Sequence, residues 1–404
     1  MEFYTYTLPN GIRGIHRQVR STVAHCALVI GAGSRDEHPG QYGLAHLTEH
    51  AFFKGTERRR AWQVNCRLEN LGGELNAFTT KEETTIHATT LRGDFAKAAE
   101  LIADIAFRST FPEREIEREK EVIADEINTY KDSPAEMLYD TFEDMLFEGS
   151  ELGHNILGRK AALMRYDGAA IRAFTARTHT TDRMVFSSIG NFSPKTAEAT
   201  ALRYFGEQAA TTRGFERAAP PAVKPFEKTV TKHTHQTHCI IGNRACGIEE
   251  TKRLPLALLV NVLGGPSANS LLNVEVREKH GLSYNIEANY IPYGDSGLVA
   301  IYFSSEHTNE AQCAELVERQ LQRLRTTPLT GRQLSMAKKQ FIAQLAISGE
   351  SNENYMLSAG KSLLTHDEID TMEEVYAKIG ALTAAQLTEA AEEVFTKMSR
   401  LTYK

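Results

Sequence analysis

Apolar residues recur along this chain in two rhythms, short strand-like runs and longer helical stripes. Residues 24–31 and 237–242 are strand-like, and each run is followed by a loop and then a helix. The second half of the chain therefore echoes the first, as a duplicated unit would. Residues 74–91 read as an antiparallel pair of strands. Helical periodicity marks 41–54, set between Pro39-Gly40 and Gly55, then about 112–130, and 383–397. Residues 398–404 follow as a short tail. Between the halves, 206–214 and the prolines Pro220, Pro221 and Pro225 lack periodicity and read as a linker. The pattern predicts an α+β chain of two homologous domains, 1–215 and 225–404. Each is expected to be a mostly antiparallel sheet packed with helices.

Composition narrows the picture. The 404 residues exceed one ordinary core, and 41% hydrophobic with 24% charged residues is a folded globular balance. A formal net charge of −6 carries no nucleic-acid footprint. The start, Met1 to Gly11, enters a strand-and-turn pattern at once, without the charge and apolar blocks of a targeting segment. No apolar run is long enough for a membrane span. Cys26, Cys66, Cys239, Cys246 and Cys313 are scattered and odd in number, and read as reduced thiols. A cytoplasmic location is expected.

The chemistry concentrates on the first strong helix, which reads His46-Leu47-Thr48-Glu49-His50. Histidines four apart stack on one helical face, and Glu49 shares it. Two imidazoles one turn apart can bind one zinc, and a neighbouring carboxylate can take a proton from water. The order is that of an inverted zincin motif. A polar helix face with two satisfied histidines is the bland alternative. A catalytic zinc needs a third ligand, and the 112–130 helix offers two carboxylates. Its apolar stripe is Ile116, Ile123, Ile127 and Tyr130, and Glu119 and Glu126 fall on that stripe. A carboxylate there is costly unless paired or bound to metal. Glu126 is assigned as third ligand and Glu119 as the partner that orients a ligand histidine. On spacing alone the two roles are exchangeable.

These residues resemble the inverted-zincin peptidases of the pitrilysin and insulin-degrading enzyme family, in the single-length, two-domain form of the bacterial processing-peptidase-like subfamily. The resemblance is carried by Gly43 to His50, Phe53-Lys54-Gly55-Thr56, the Gly72-Gly73-Glu74-Leu75-Asn76-Ala77-Phe78-Thr79 segment and the distal glutamate helix. It continues through Leu152 to Gly158 and Glu275-Val276-Arg277-Glu278-Lys279-His280-Gly281-Leu282-Ser283-Tyr284. Thr48, Ala51 and Leu271 depart from the family pattern, and none is an expected ligand.

The resemblance implies a zinc endopeptidase with one zinc per chain, and it selects Glu126 as the ligand and Glu49 as the general base. Asn76, Ala77 and Phe78 match the sheet edge to which a peptide substrate adds as a strand, whereas the residues alone fit an inner strand. Arg277 and Tyr284 match the pair that hydrogen-bonds the substrate or its oxyanion. A chain of this length needs a second copy to build a closed chamber, so a homodimer is expected, with a heterodimer of related chains as the variant. A non-catalytic partner subunit of the same fold, or a dedicated precursor-processing maturase, is the competing reading. His233, His235 and His238 form a second histidine group, with His233 and His235 expected on one strand face. Glu82 matches a family glutamate near the zinc helix.

Overall fold

Strand Gly297–Ser305 is buried along its whole length. Leu298, Ala300 and Tyr302 face one apolar cluster, while Val299, Ile301 and Phe303 face another. A period of two with both faces apolar can only be a central strand covered by helices on both sides. We describe the fold from a computed structural model of the chain, which describes residues 3–248 and 250–404. Met1 and Glu2, part of the strand-and-turn reading above, lie outside the described residues.

Eleven strands are described: β1 (Tyr4–Thr7), β2 (Arg13–Gln18), β3 (Val23–Ile30), β4 (Glu74–Thr79), β5 (Thr84–Leu91), β6 (Met184–Gly190), β7 (Glu227–Val230), β8 (Thr237–Ala245), β9 (Ser283–Pro292), β10 (Gly297–Ser305) and β11 (Ser399–Tyr403). They form a six-stranded sheet, β1-β2-β6-β3-β5-β4, and a five-stranded one, β7-β11-β8-β10-β9. With β1 set aside, the two orders superimpose strand for strand in chain order. The directions match as well. β2 runs parallel to β6 and β7 parallel to β11, and all other neighbours are antiparallel. The predicted duplication and the mostly antiparallel sheets are both present, and the echoing segments 24–31 and 237–242 fall in the equivalent strands β3 and β8.

Helices needed below are α1 (Leu44–Phe52), α2 (Ala61–Glu69), α3 (Phe95–Arg108), α4 (Glu113–Lys131) and α5 (Pro134–Leu146). Close packing groups the chain into two units that are not contiguous in sequence. One comprises 1–129, 154–218 and 347–369, and the other 130–153, 219–346 and 370–404. In the first unit, α3 covers one face of the sheet through Phe95 against Phe186. Helix Asn352–His366 covers the other face, where Ser187 donates its hydroxyl to the Met356 carbonyl at 2.7 Å. In the second unit, α5 covers the face lined by Ile240, Leu298 and Leu401 through Leu138 and Phe142. Each sheet thus takes one covering helix from the other half of the sequence. Periodicity reports that a helix has a buried face, but not which sheet receives it.

Two readings are corrected. The tail beyond the last helix is strand β11, lying between β7 and β8 and antiparallel to β8 from Ser399↔Gly242 to Tyr403↔His238. His233 and His235 lie outside any strand, in the exposed loop between β7 and β8, and His233 adopts φ 52°. His238 is on β8, and its Nδ1 pairs with the Tyr302 hydroxyl at 2.8 Å.

The linker stretch is irregular as expected, but it is held along the first unit. Arg213 and Arg217 both reach the fully buried Asp36 carboxylate, at 3.0 and 2.7 Å. Among the described residues, no helix is long and apolar enough to cross a membrane.

Candidate metal centre

Helix α1 begins at Gly43, whose φ of 93° an L side chain rarely adopts. A Cβ there would meet the Leu157 carbonyl at 2.6 Å, and one on Gly158 would meet the Tyr42 carbonyl at 2.2 Å. Two bare backbones therefore touch, and the 154–158 loop sits against the first turn of the helix. The free N–H groups of that turn are met by a buried carboxylate. Glu37 accepts from the amides of Gly43 at 3.1 Å and Ala45 at 2.7 Å. The same Glu37 pairs with His154 Nε2 at 2.8 Å, and the His154 ring stacks on Tyr42. The sequence reading missed Glu37. It stands six residues before Gly43, outside any capping spacing, so no local signal marked it.

On α1, His46 and His50 lie one turn apart and present their Nε2 atoms to one point. Glu126 Oε2, from α4, is 3.8 Å from each of them. Among the described residues, this is the group of histidines, cysteines and carboxylates close enough to share a cation. Tetrahedral zinc with bonds of about 2.0–2.2 Å sets its ligand atoms about 3.4 Å apart, so the trio fits after a small inward shift. His46 Nδ1 is buried without a hydrogen-bond partner, which leaves Nε2 as that ring's polar contact.

The two glutamates of α4 separate by environment. Glu126 is half-exposed, whereas Glu119 is 7% exposed. Glu119 accepts from His50 Nδ1 at 2.8 Å and from Lys54 Nζ at 2.5 Å. Burial alone would raise the Glu119 pKa, but the His50 and Lys54 hydrogen bonds outweigh it and hold it below the ordinary value. Burial and the neighbouring His50 charge push His46 down to about 3, so its ring is neutral, as a metal ligand must be. Burial also opposes charge on His50, but the Glu119 hydrogen bond and the surrounding carboxylates raise its pKa overall. Glu49, between the two histidines, is raised, first by burial, against the lowering effect of His50.

Beside α1 runs β4, an edge strand. The turn closes with Thr80 N–H donating to the Glu83 carbonyl. Hydrogen-bonded pairs alternate from there, so Phe78↔Thr85 and Asn76↔His87 bond to β5. Ala77, like Leu75 and Thr79, turns its backbone N–H and C=O outward. Of the three predicted edge residues, Ala77 alone offers its main chain to an added strand. Arg277 lies on the wide-turned helical segment Asn273–Lys279, and its guanidinium sits 5.0 Å from the Tyr284 ring centroid, with Tyr284 82% exposed. Glu82 pairs with Arg35 at 2.6 Å and Arg217 at 3.3 Å.

Comparison with known proteins shows the family and the fold. Residues 15–160 match the model of insulinase, peptidase family M16, and 167–341 match that of the peptidase M16 inactive domain. The uncharacterized zinc protease YmxG of Bacillus subtilis is 32% identical over 396 residues, covering 97% of this chain and 95% of its own. An uncharacterized zinc protease of Mycobacterium tuberculosis is 28% identical over 400 residues, covering 97% and 90%. Two crystal structures share the fold. A peptidase M16 inactive domain from Pseudomonas fluorescens aligns with TM-score 0.92 and 19% identity, covering 100% of this chain and 98% of its own. A protease from Helicobacter pylori aligns at 0.89 and 20%, covering 100% and 99%. The chain belongs to the insulinase family of peptidases, family M16.

Proposed function

We propose that this chain is a zinc endopeptidase that hydrolyses peptides or unfolded segments bound as an added β-strand. One zinc per chain would be held by His46, His50 and Glu126. The observation that carries the reading is the convergence of three donor atoms from α1 and α4 on one point, with Glu49 beside it. A non-catalytic subunit has no physical need for all four.

When bound, zinc supplies a Lewis acid for the scissile carbonyl and makes water easier to ionise. Glu49 takes the proton of the attacking water on its carboxylate and returns it to the leaving amine. Its raised pKa suits both halves of that task. Glu119 holds the His50 ring in one tautomer and orientation through Nδ1. Glu37 fixes the start of α1 and so the height of His46 along it.

The substrate strand bonds to the outward main chain of Ala77, flanked by Asn76 and Phe78, and main-chain pairing tolerates many sequences. Arg277 and Tyr284 donate to the substrate or to the developing oxyanion. A homodimer, or a heterodimer of related chains, brings such a pair to each zinc site. The two copies of the repeated unit are bounded at 1–215 and 225–404, and the enzyme works in the cytoplasm.

The test is zinc analysis with peptide-digest mass spectrometry on wild type and Glu49→Gln. Wild type is expected to carry zinc and cut peptides, and the variant to carry zinc and cut none. A zinc-free wild type, or a variant with normal turnover, overturns the assignment. Size-exclusion chromatography with light scattering reads the dimer, and a fully active monomer ends that part.

A further inference from the structure

A concavity of about 820 Å³ opens at the C-terminal end of α1, where the chain turns into α2. Its walls carry Lys54, Arg58, Arg59, Arg60, Arg114 and Arg118 against two acidic residues, Glu57 and Glu115. This concentration of positive charge stands on a chain whose net charge is −6.

Some of these cations are committed. Arg59 is paired with Asp104 and Glu100 at 2.6 and 2.8 Å, Lys54 with Glu119, and Arg118 with Glu115 at 3.1 Å. Others are not. Arg60 and Arg114 have no side-chain hydrogen bond or ion pair among the described residues, and Arg58 reaches Glu100 only at 4.0 Å with its side chain 55% exposed. Three guanidinium groups therefore face water in one cleft. At its rim stands Trp62, the single tryptophan of the chain, 62% exposed. An exposed tryptophan beside arginines is a combination enriched at binding hot spots.

The backbone narrows the ligand class. A compact phosphate is cradled by free N–H groups in a loop, and the amides of residues 57–60 in this loop are taken. The Glu57 amide donates to the Arg108 carbonyl, those of Arg58 and Arg59 to Thr56 Oγ1, and that of Arg60 to Gln63 Oε1. What remains is a set of spaced guanidinium forks, which suit carboxylates distributed along a chain. We infer that this cleft is a docking site for an acidic segment of a polypeptide, with Arg58, Arg60 and Arg114 taking its carboxylates and Trp62 an apolar neighbour. Docking of this kind goes beyond hydrolysis and stands whether or not the chain cleaves what it holds.

Because Trp62 is the sole tryptophan, its emission reports the cleft directly. The Glu49→Gln protein is titrated with a short capped peptide of glutamates around one leucine. A saturable change in emission is expected, lost near 1 M salt, where screening shortens to about 3 Å. The same peptide with lysine in place of glutamate, and inorganic phosphate, are expected to leave the emission unchanged. Arg60→Gln with Arg114→Gln weakens binding about tenfold, the product of two exposed ion pairs. Thermal midpoint and zinc content of the double variant should match the parent. Arg58→Gln repeats the test at a side chain whose loss leaves no buried group unpaired. No saturable response, an equal response to phosphate or the lysine peptide, or indifference to these substitutions overturns the assignment.

Discussion

Replacing Glu119 by Gln tests how the site holds its geometry. The carboxylate is buried at 7% exposure and has two donors, His50 Nδ1 at 2.8 Å and Lys54 Nζ at 2.5 Å. Gln keeps the length and still accepts from His50. It removes the negative charge, however, and turns an NH2 group toward the Lys54 ammonium, donor against donor. Loss of the outer partner of a ligating histidine typically weakens metal binding 10–100-fold, about 1.4–2.7 kcal/mol. Burial argues for the upper part of that range. Lys54, itself 22% exposed, can turn to water, which argues against the extreme.

The expected loss is about thirtyfold, or ~2 kcal/mol. The assay is competition for zinc against a chromogenic chelator at neutral pH, where Glu119 is ionised because its partners hold its pKa down. Lys54→Met should cost less, since it leaves the His50 bond and the charge intact. Zinc affinity of Glu119→Gln within about twofold of wild type would refute the argument, because the typical outer-partner cost is tenfold or more.

Other substitutions probe separate links. Glu37→Ala leaves the Gly43 and Ala45 amides without their acceptor and should cost about 2–3 kcal/mol in stability, with weaker zinc retention, read by calorimetry and metal analysis. Unchanged melting would show that water replaces the carboxylate. Ala77→Pro deletes one outward N–H without touching the β5 ladder, so KM for extended peptides should rise about fivefold while the thermal midpoint holds. An unchanged KM removes Ala77 from substrate binding.

Glu310 is buried against Arg400 and Lys404, the latter at 2.7 Å. Burial raises its pKa, but these partners outweigh that and lower it below 4.5. A depressed carboxylate stabilises the fold above the unfolded value and loses that contribution as pH falls through the folded one. Glu310→Gln should therefore cost about 1–2 kcal/mol at pH 7, discounted for half-exposed partners, with the gap to wild type closing in acid. A gap that stays constant with pH would contradict the linkage.

What the sequence disclosed follows from where the information lies. His46, Glu49 and His50 are one helical turn, and Glu119 and Glu126 two turns of another, so local spacing alone put each set on a face. That His50 meets Glu119, and Glu126 meets both histidines, is a tertiary fact that spacing left exchangeable. The duplication was legible because β3 and β8 are central strands whose apolar runs survive in both copies. Strand β11 was not. Its five residues acquire strand character from β7 and β8, far away in sequence. The covering helices α5 and Asn352–His366 were not picked out by periodicity, and the sheet each one seals is set by the chain's path. Glu37 and the Gly43–Gly158 contact were likewise invisible, because each joins residues with no common period.

The most direct measurement is an anomalous difference map at the zinc absorption edge from crystals of the zinc-loaded protein. One peak is expected within about 2.0–2.2 Å of His46 Nε2, His50 Nε2 and a Glu126 oxygen, and no such peak in Glu126→Gln crystals grown at limiting zinc. A peak elsewhere, or zinc bound with Glu126 turned away into solvent, would contradict the account.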